Sequence, residues 1–318
     1  HVLEAEALRI EAGSAHHDID GDGDLDLVLG GDGGSNEVWW WENPYPNFDP
    51  GKPWRRRIIK SSGANKHHDQ MFLDADGDGR PELIFWNQGA RTLFLARIPP
   101  DPRNAGPWPL TPIYTYSSDS EMEQRGQPAA FKGVNEHEGL VSCDVDGDGK
   151  PDIVGGGRWF KHVKGGEYTV NLIDASYSFS RSACGQLIPG GRPEVLLVVG
   201  DGLGPLMLYE WVKGTWKGRR LLDVDNGHSL DLVDFNQDGH LDIFAAEMRL
   251  NGGNPQAKTW LLLNDGKGNF KTTVIAEGYG NHESKIADLD GNGTLDVLGK
   301  PYNWETPRLD IWLSQRVR

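Results

Sequence analysis

Short apolar runs punctuate the chain at intervals, each entered through an acidic residue. Leu27-Val-Leu29, Leu83-Ile-Phe85, Ile153-Val154, Val195-Leu-Leu-Val-Val199, Ile243-Phe244 and Val297-Leu298 follow Asp26, Glu82, Asp152, Glu194, Asp242 and Asp296. Short β-branched and leucine-rich runs between turn residues predict strands. Two further strand-like runs follow in most units, such as Glu37-Val-Trp-Trp-Trp41 with Arg56-Arg-Ile-Ile59, and Thr259-Trp-Leu-Leu-Leu263 with Lys271-Thr-Thr-Val-Ile275. With the strand that precedes each acid, a unit holds four short strands and recurs at roughly 40 to 70 residues. That is the period of a propeller blade, a sheet that closes radially and hides its edges. The expected fold is all-β: one β-propeller over residues 1–318 with four-stranded antiparallel blades. Six blades are legible; a seventh would have to hide between Trp86 and Gly133, where no loop signature is seen. The last unit lacks a clear fourth strand, and the N-terminal His1-Val-Leu3 segment is expected to supply it.

The turn ahead of each second strand is itself a motif. Asp18-Ile-Asp-Gly-Asp-Gly-Asp-Leu-Asp26 recurs as Asp74 to Glu82, Asp144 to Asp152, Asp234 to Asp242 and Asp288 to Asp296. A sixth copy, Gln186 to Glu194, has lost its early acids. Alternating oxygen ligands with glycines for the tight turn suit a hard cation that takes six to eight oxygens. Structural Ca2+, up to five ions, is therefore expected on Asp18, Asp20, Asp22 and Asp26; on Asp74, Asp76, Asp78 and Glu82; and on Asp144, Asp146, Asp148 and Asp152. Asp234, Asn236, Asp238 and Asp242, and Asp288, Asp290, Asn292 and Asp296, complete the set. An EF-hand is excluded, because Leu29, Phe85 and Gly155 stand where its last glutamate belongs and a strand follows instead of a helix.

Forty-seven acidic against 32 basic residues give a net charge of −15, which disfavours nucleic acid and anionic membranes as partners. No apolar run is long enough to span a bilayer. His1 in place of Met points to a removed leader or expression segment; a secreted, extracellular or periplasmic protein is expected, as a monomer. For Cys143 and Cys184 two buried thiols are the favoured reading, with a bridge between neighbouring strands as the alternative.

The repeated Asp-x-Asp-Gly-Asp-Gly-x-x-Asp loop followed by an apolar strand resembles the FG-GAP/VCBS repeat of calcium-bearing β-propellers. That resemblance covers essentially the whole chain. It implies the propeller and its calcium, and it spans adhesion heads, lectins and carbohydrate-active enzymes. Trp41-Glu-Asn-Pro44, Trp54-Arg-Arg-Arg57 and His67-His68 are also similar to the propeller part of aldos-2-ulose dehydratases. No cupin-like region accompanies them here, so no activity follows from that likeness.

Six or seven residues before four of the loops, those of blades 2, 3, 5 and 6, stand His68, His137, His228 and His282, accompanied by Glu138 and Glu283. Radial symmetry predicts that these strand starts converge at one mouth of the central channel, opposite the calcium loops. Imidazoles mixed with carboxylates suit acid–base work or a divalent or transition metal. The ends of the second strands should open on the same mouth, bringing Asn87, Arg158, Arg249, Lys300, Tyr302 and, nearby, Trp304. The insertion Ser117 to Gly126 is placed to overhang it. Tryptophans 39 to 41 read as packing between blades; Trp108 and Trp304 are the better sugar platforms.

These features predict a carbohydrate-active lyase or dehydratase working by β-elimination on a sugar or uronate. One ring histidine would remove a proton, a second or Tyr302 would protonate the leaving oxygen, and Arg158, Arg249 or a metal would neutralise the substrate. The alternatives are a lectin- or adhesion-like binding propeller, with one shallow pocket per blade, and a glycoside hydrolase using Glu138 and Glu283. Serine-nucleophile and nucleotide chemistry have no motif here.

Overall fold

The computed structural model describes residues 2–117, 136–302 and 308–315. They form six antiparallel sheets in chain order. Blade 1 holds β1 (Ala15–His17), β2 (Asp26–Gly30), β3 (Val38–Glu42) and β4 (Arg55–Lys60); blade 2 holds β5 (His67–Leu73), β6 (Glu82–Asn87), β7 (Thr92–Ala96) and β8 (Leu110–Thr115). Blade 3 comprises β9 (Val141–Cys143), β10 (Asp152–Gly155), β11 (Arg158–Lys164) and β12 (Glu167–Leu172). In blade 4 the strands are β13 (Ser180–Gly185), β14 (Glu194–Val199), β15 (Leu203–Val212) and β16 (Thr215–Asp225). Blade 5 consists of β17 (Ser229–Val233), β18 (Asp242–Ala246), β19 (Lys258–Asn264) and β20 (Phe270–Glu277). Blade 6 has three described strands, β21 (Glu283–Ala287), β22 (Asp296–Lys300) and β23 (Asp310–Trp312). The stretch after Trp86 carries β7 and β8 of blade 2, so no seventh blade appears among the described residues.

Burial follows position in the blade. The second strands β6, β10, β14 and β18 are buried throughout, whereas β12 and β20 at the rim are largely exposed. Side chains of adjoining sheets form an apolar cluster at every junction from blades 1 and 2 to blades 5 and 6. Trp40 and Trp108 share the first of these clusters with Leu83 and Phe85. The expected packing role of Trp39 to Trp41 is thus met; Trp108, only 3% exposed, is core and not a sugar platform.

The acid that closes each loop has a second task. Asp26 accepts hydrogen bonds from Ile19 N at 3.0 Å and Asn43 N at 2.8 Å, joining the start of its own loop to the end of β3. Asp152, Asp242 and Asp296 make the same two kinds of bond, to Val145 and His162, Phe235 and Asn264, and Leu289 and Ser314. Glu194 of the degenerate loop keeps only the bond into its own loop, accepting from Leu187 N at 2.8 Å and Ile188 N at 3.0 Å. A buried carboxylate holding two backbone N–H groups satisfies donors that would otherwise be stranded. This explains why the closing acid survives where the early acids are lost.

Two expectations are corrected here. Val2 forms a parallel bridge with Pro53 beside β4, so the N-terminal segment lies on blade 1 and does not add a strand to blade 6. Cys143 and Cys184 are joined in a disulfide, with Cα atoms 6.0 Å apart, that staples the inner strands β9 and β13. It ties the fourth blade, whose loop has lost its early acids, to the third. No helix among the described residues is long and apolar enough to cross a membrane.

Candidate active site on the propeller axis

Segments of all six blades line two cavities on the axis. The outer one, the mouth, has a volume of about 460 Å³ and includes Lys66, His68, Glu138, His228, His282, Glu283, Lys300 and Tyr302 in its wall. The inner one, about 340 Å³, runs along the first strands from Asp69 to Leu232. Both are bordered by Gly13, Ser14, His228 and Glu283.

Strand parity decides which predicted residues reach the mouth. His68, Glu138, His228 and His282 all stand six residues before the first loop acid of their blades, Asp74, Asp144, Asp234 and Asp288. These four line the mouth. His67 and His137 stand one residue earlier, and successive side chains on extended backbone point to opposite sides. His67 turns away to Gly31 O and Asn87. His137 packs against Tyr116, ring centroids 3.7 Å apart, and edge-on to Trp86 at 5.3 Å. Burial holds His137 well below the ordinary histidine range. It is an aromatic-core residue and not a member of the central cluster.

The same geometry sorts the other candidates. Arg158 is buried beside Tyr114 and donates to Gly156 O at 2.8 Å, and Asn87 donates to Ala64 O at 3.0 Å. Neither lies among the mouth's lining residues, and neither does Arg249. Lys300 and Tyr302 do. Trp304 and most of the Ser117 to Gly126 insertion lie outside the described residues.

Ion pairs organise the centre. His68 Nδ1 is 3.0 Å from Asp69 Oδ2 and its Nε2 is 3.1 Å from Glu138 Oε1. Burial alone would lower His68, but the two carboxylates prevail and raise it to about 9. Burial raises Glu138 against the pull of His68, so a proton stays within that pair. Asp69 also accepts from Gly139 N at 2.8 Å and from Arg181, whose other nitrogen lies 3.3 Å from Glu283 Oε2. Desolvation is more than offset by Arg181 and His68, leaving Asp69 far below the usual carboxylate range. Arg181 starts in blade 4 and reaches blades 2 and 6, two blades away on either side. Only a group near the axis can do so, and this guanidinium lines the inner cavity. Arg181 stands in the blade whose loop has lost its early acids, and no repeated residue pattern announces its role.

On the opposite wall His228 Nε2 is 2.8 Å from Asp201 Oδ1, while its Nδ1 has no hydrogen-bond partner. The His282 ring stacks on His228 with centroids 4.8 Å apart and meets Tyr302 edge-on at 5.2 Å. Burial and the neighbouring His228 keep His282 well below the ordinary range. Burial also raises the Tyr302 phenol.

At the other end of the blades, three donor oxygens lie within 4.8 Å of one another in Asp18, Asp20 and Asp22; in Asp74, Asp76 and Asp78; in Asp144, Asp146 and Asp152; and in Asp288, Asp290 and Asp296. Asp20 Oδ1 and Asp146 Oδ1 are buried without a hydrogen-bond donor. All-carboxylate loops with stranded oxygens fit a hard cation. No comparable donor triple occurs at the mouth among the described residues.

The FG-GAP-like repeat description matches residues 18–85 and 234–299. No curated protein matches the chain. Solved structures share the fold at low identity. AofleA from Arthrobotrys oligospora is 10% identical with a TM-score of 0.50, over 96% of this chain and 82% of that one. A candidate 6-phosphogluconolactonase from Bacteroides uniformis is 14% identical with a TM-score of 0.50, over 97% and 86%. A Lactobacillus plantarum protein is 13% identical with a TM-score of 0.50, over 95% and 83%. The six sheets around one axis and these matches together identify the chain as a six-bladed β-propeller that carries FG-GAP-like repeats at residues 18–85 and 234–299.

Proposed function

We propose that the axial mouth is the active site of a carbohydrate-active lyase or dehydratase. The observation that carries this reading is the Asp201–His228 pair. The 2.8 Å contact fixes the imidazole tautomer with its N–H toward Asp201, leaving Nδ1 as the acceptor. His228 removes the proton from a carbon next to a carbonyl or carboxylate. The β carbon–oxygen bond breaks, and Tyr302, which burial keeps protonated, gives its proton to the departing oxygen. A cavity of about 460 Å³ has the size of an ordinary small-molecule site. One concentrated centre also favours catalysis over repeated binding pockets. The hydrolase alternative is less well supported, because Glu138 is engaged by His68 and Gln88, and Glu283 by Arg181 and Lys285.

The same proposal places structural Ca2+ in the acidic loops. With the disulfide, it places the chain in an oxidising compartment, secreted or periplasmic. A panel of uronate-containing and neutral glycans, read by ultraviolet absorbance of an unsaturated product, tests the activity. Turnover lost in His228→Ala and Tyr302→Phe is expected; no product from any glycan, with or without added divalent ions, overturns it.

A further inference from the structure

Five carboxylates border the mouth: Glu11, Glu136, Glu138, Asp201 and Glu283. Four already have a cationic or imidazole partner. Glu136 takes Lys66 at 2.6 Å, Glu138 takes His68 at 3.1 Å and Asp201 takes His228 at 2.8 Å. Glu283 is shared between Arg181 at 3.3 Å and Lys285 at 2.9 Å. Glu11 turns to the backbone N–H of Ala12 at 3.2 Å.

Lys300 is left over. It ends β22 directly across from Glu283, and its carbonyl accepts the N–H of His282 at 2.8 Å. Among the described residues its ammonium makes no hydrogen bond and no ion pair. A long cation that merely decorated this wall would be expected to reach one of the carboxylates around it. Half-burial lowers its affinity for a proton, which enlarges the neutral amine fraction. An amine in a partly desolvated pocket beside imidazoles is the arrangement that adds to carbonyls.

We propose that Lys300 is the carbonyl-capturing residue of the mouth, so that the substrate class is a sugar presenting an open aldehyde or ketone. This rests on the elimination reading and deepens it. The Lys300 nitrogen attacks the carbonyl carbon, the oxygen takes a proton, and water leaves to give an iminium. The iminium acidifies the adjacent C–H more strongly than a free carbonyl does. His228 removes that proton, the electron pair forms an enamine, and the β carbon–oxygen bond breaks as Tyr302 protonates the leaving oxygen. Water then hydrolyses the conjugated iminium, releasing the unsaturated carbonyl product and the free amine. Net, one molecule of water or alcohol leaves the sugar, with no change of redox state beyond it. The stacked His282 stands between His228 and Tyr302, where it can return the proton.

The test is reductive trapping of the whole chain with D-glyceraldehyde and sodium cyanoborohydride at neutral pH, followed by peptide mass mapping. Labelling of Lys300 is expected to outrun that of exposed Lys217 and Lys271, because a lowered amine basicity enlarges the reactive neutral fraction. Lys300→Arg should fold normally, since the side chain it replaces makes no bond, and should abolish the fast label. Lys300 labelled no faster than Lys217 overturns the proposal, as does glycan turnover that survives Lys300→Arg. Fast labelling of Lys300 with no unsaturated product from any glycan would sink the elimination chemistry while upholding carbonyl capture.

Discussion

Replacing Arg181 by Met removes a cation that ties three blades together across the axis. Arg181 is 7% exposed and Asp69 8% exposed, so water screens their attraction poorly. Breaking a buried ion pair from one side leaves an uncompensated charge and costs about 3–5 kcal/mol. Asp69 retains His68 Nδ1 and Gly139 N, which places the expected loss at the lower end, about 3 kcal/mol. For a domain of this size that is a fall in Tm of about 4–5 °C. Thermal melts read it directly. Asp69→Asn in the same chain should restore part of the loss, because the stranded carboxylate is then gone. The sign with pH is also fixed. Asp69 has its folded-state affinity for protons depressed, so its contribution is present above the ordinary aspartate range near 4 and fades as pH falls. Arg181→Met should therefore flatten the acid limb of the stability curve. High salt should change the wild-type Tm little, since a buried pair is weakly screened. A Tm within a degree of wild type, or a loss reproduced by adding salt to wild type, would refute the axial pairing.

Other consequences are equally measurable. His68 is raised to about 9, so its contribution is complete below about pH 6.5 and lost as pH climbs through 9; urea midpoints should fall over that range in wild type and stay flatter in His68→Gln. Chelation with EGTA should lower the Tm through the loops of blades 1, 2, 3 and 6 and be reversed by Ca2+; an unchanged melt contradicts calcium there. Reducing Cys143–Cys184, which closes a separation of 41 residues, should cost about 4 kcal/mol on loop entropy. Glu194→Ala strands one buried and one part-buried N–H group and should cost roughly 1–3 kcal/mol whether or not calcium is present, since its loop lacks the early acids.

The blades were legible because each one repeats a loud signal, an acidic turn feeding a buried strand. The mouth was legible only to within one residue. His68 and His137 look alike in the sequence, yet one faces the axis and the other an aromatic wall, and the alternation of an extended backbone separates them. Asn87 ends β6 as expected, whereas Arg158 opens β11 instead of ending β10; both bend back, onto the Ala64 and Gly156 carbonyls, contacts that no pattern of residue types announces. Arg181 was hidden for the opposite reason. It sits in the blade whose motif has decayed, and its partners are 112 and 102 residues away in the chain. The N-terminal segment resembled other fourth strands, and only the pairing of Val2 with Pro53 shows which blade it joins.

The central claim is that one site on the axis, walled by His68, His228 and His282, receives the ligand. Histidine ring resonances, followed by nuclear magnetic resonance as carbonyl-bearing sugars and uronates are added, test it most directly. The account predicts that these three rings shift together with a single saturation curve while His137, sealed among Trp86, Tyr114 and Tyr116, stays still. Binding that leaves all three unmoved and perturbs only residues at the outer edges of the blades would contradict it.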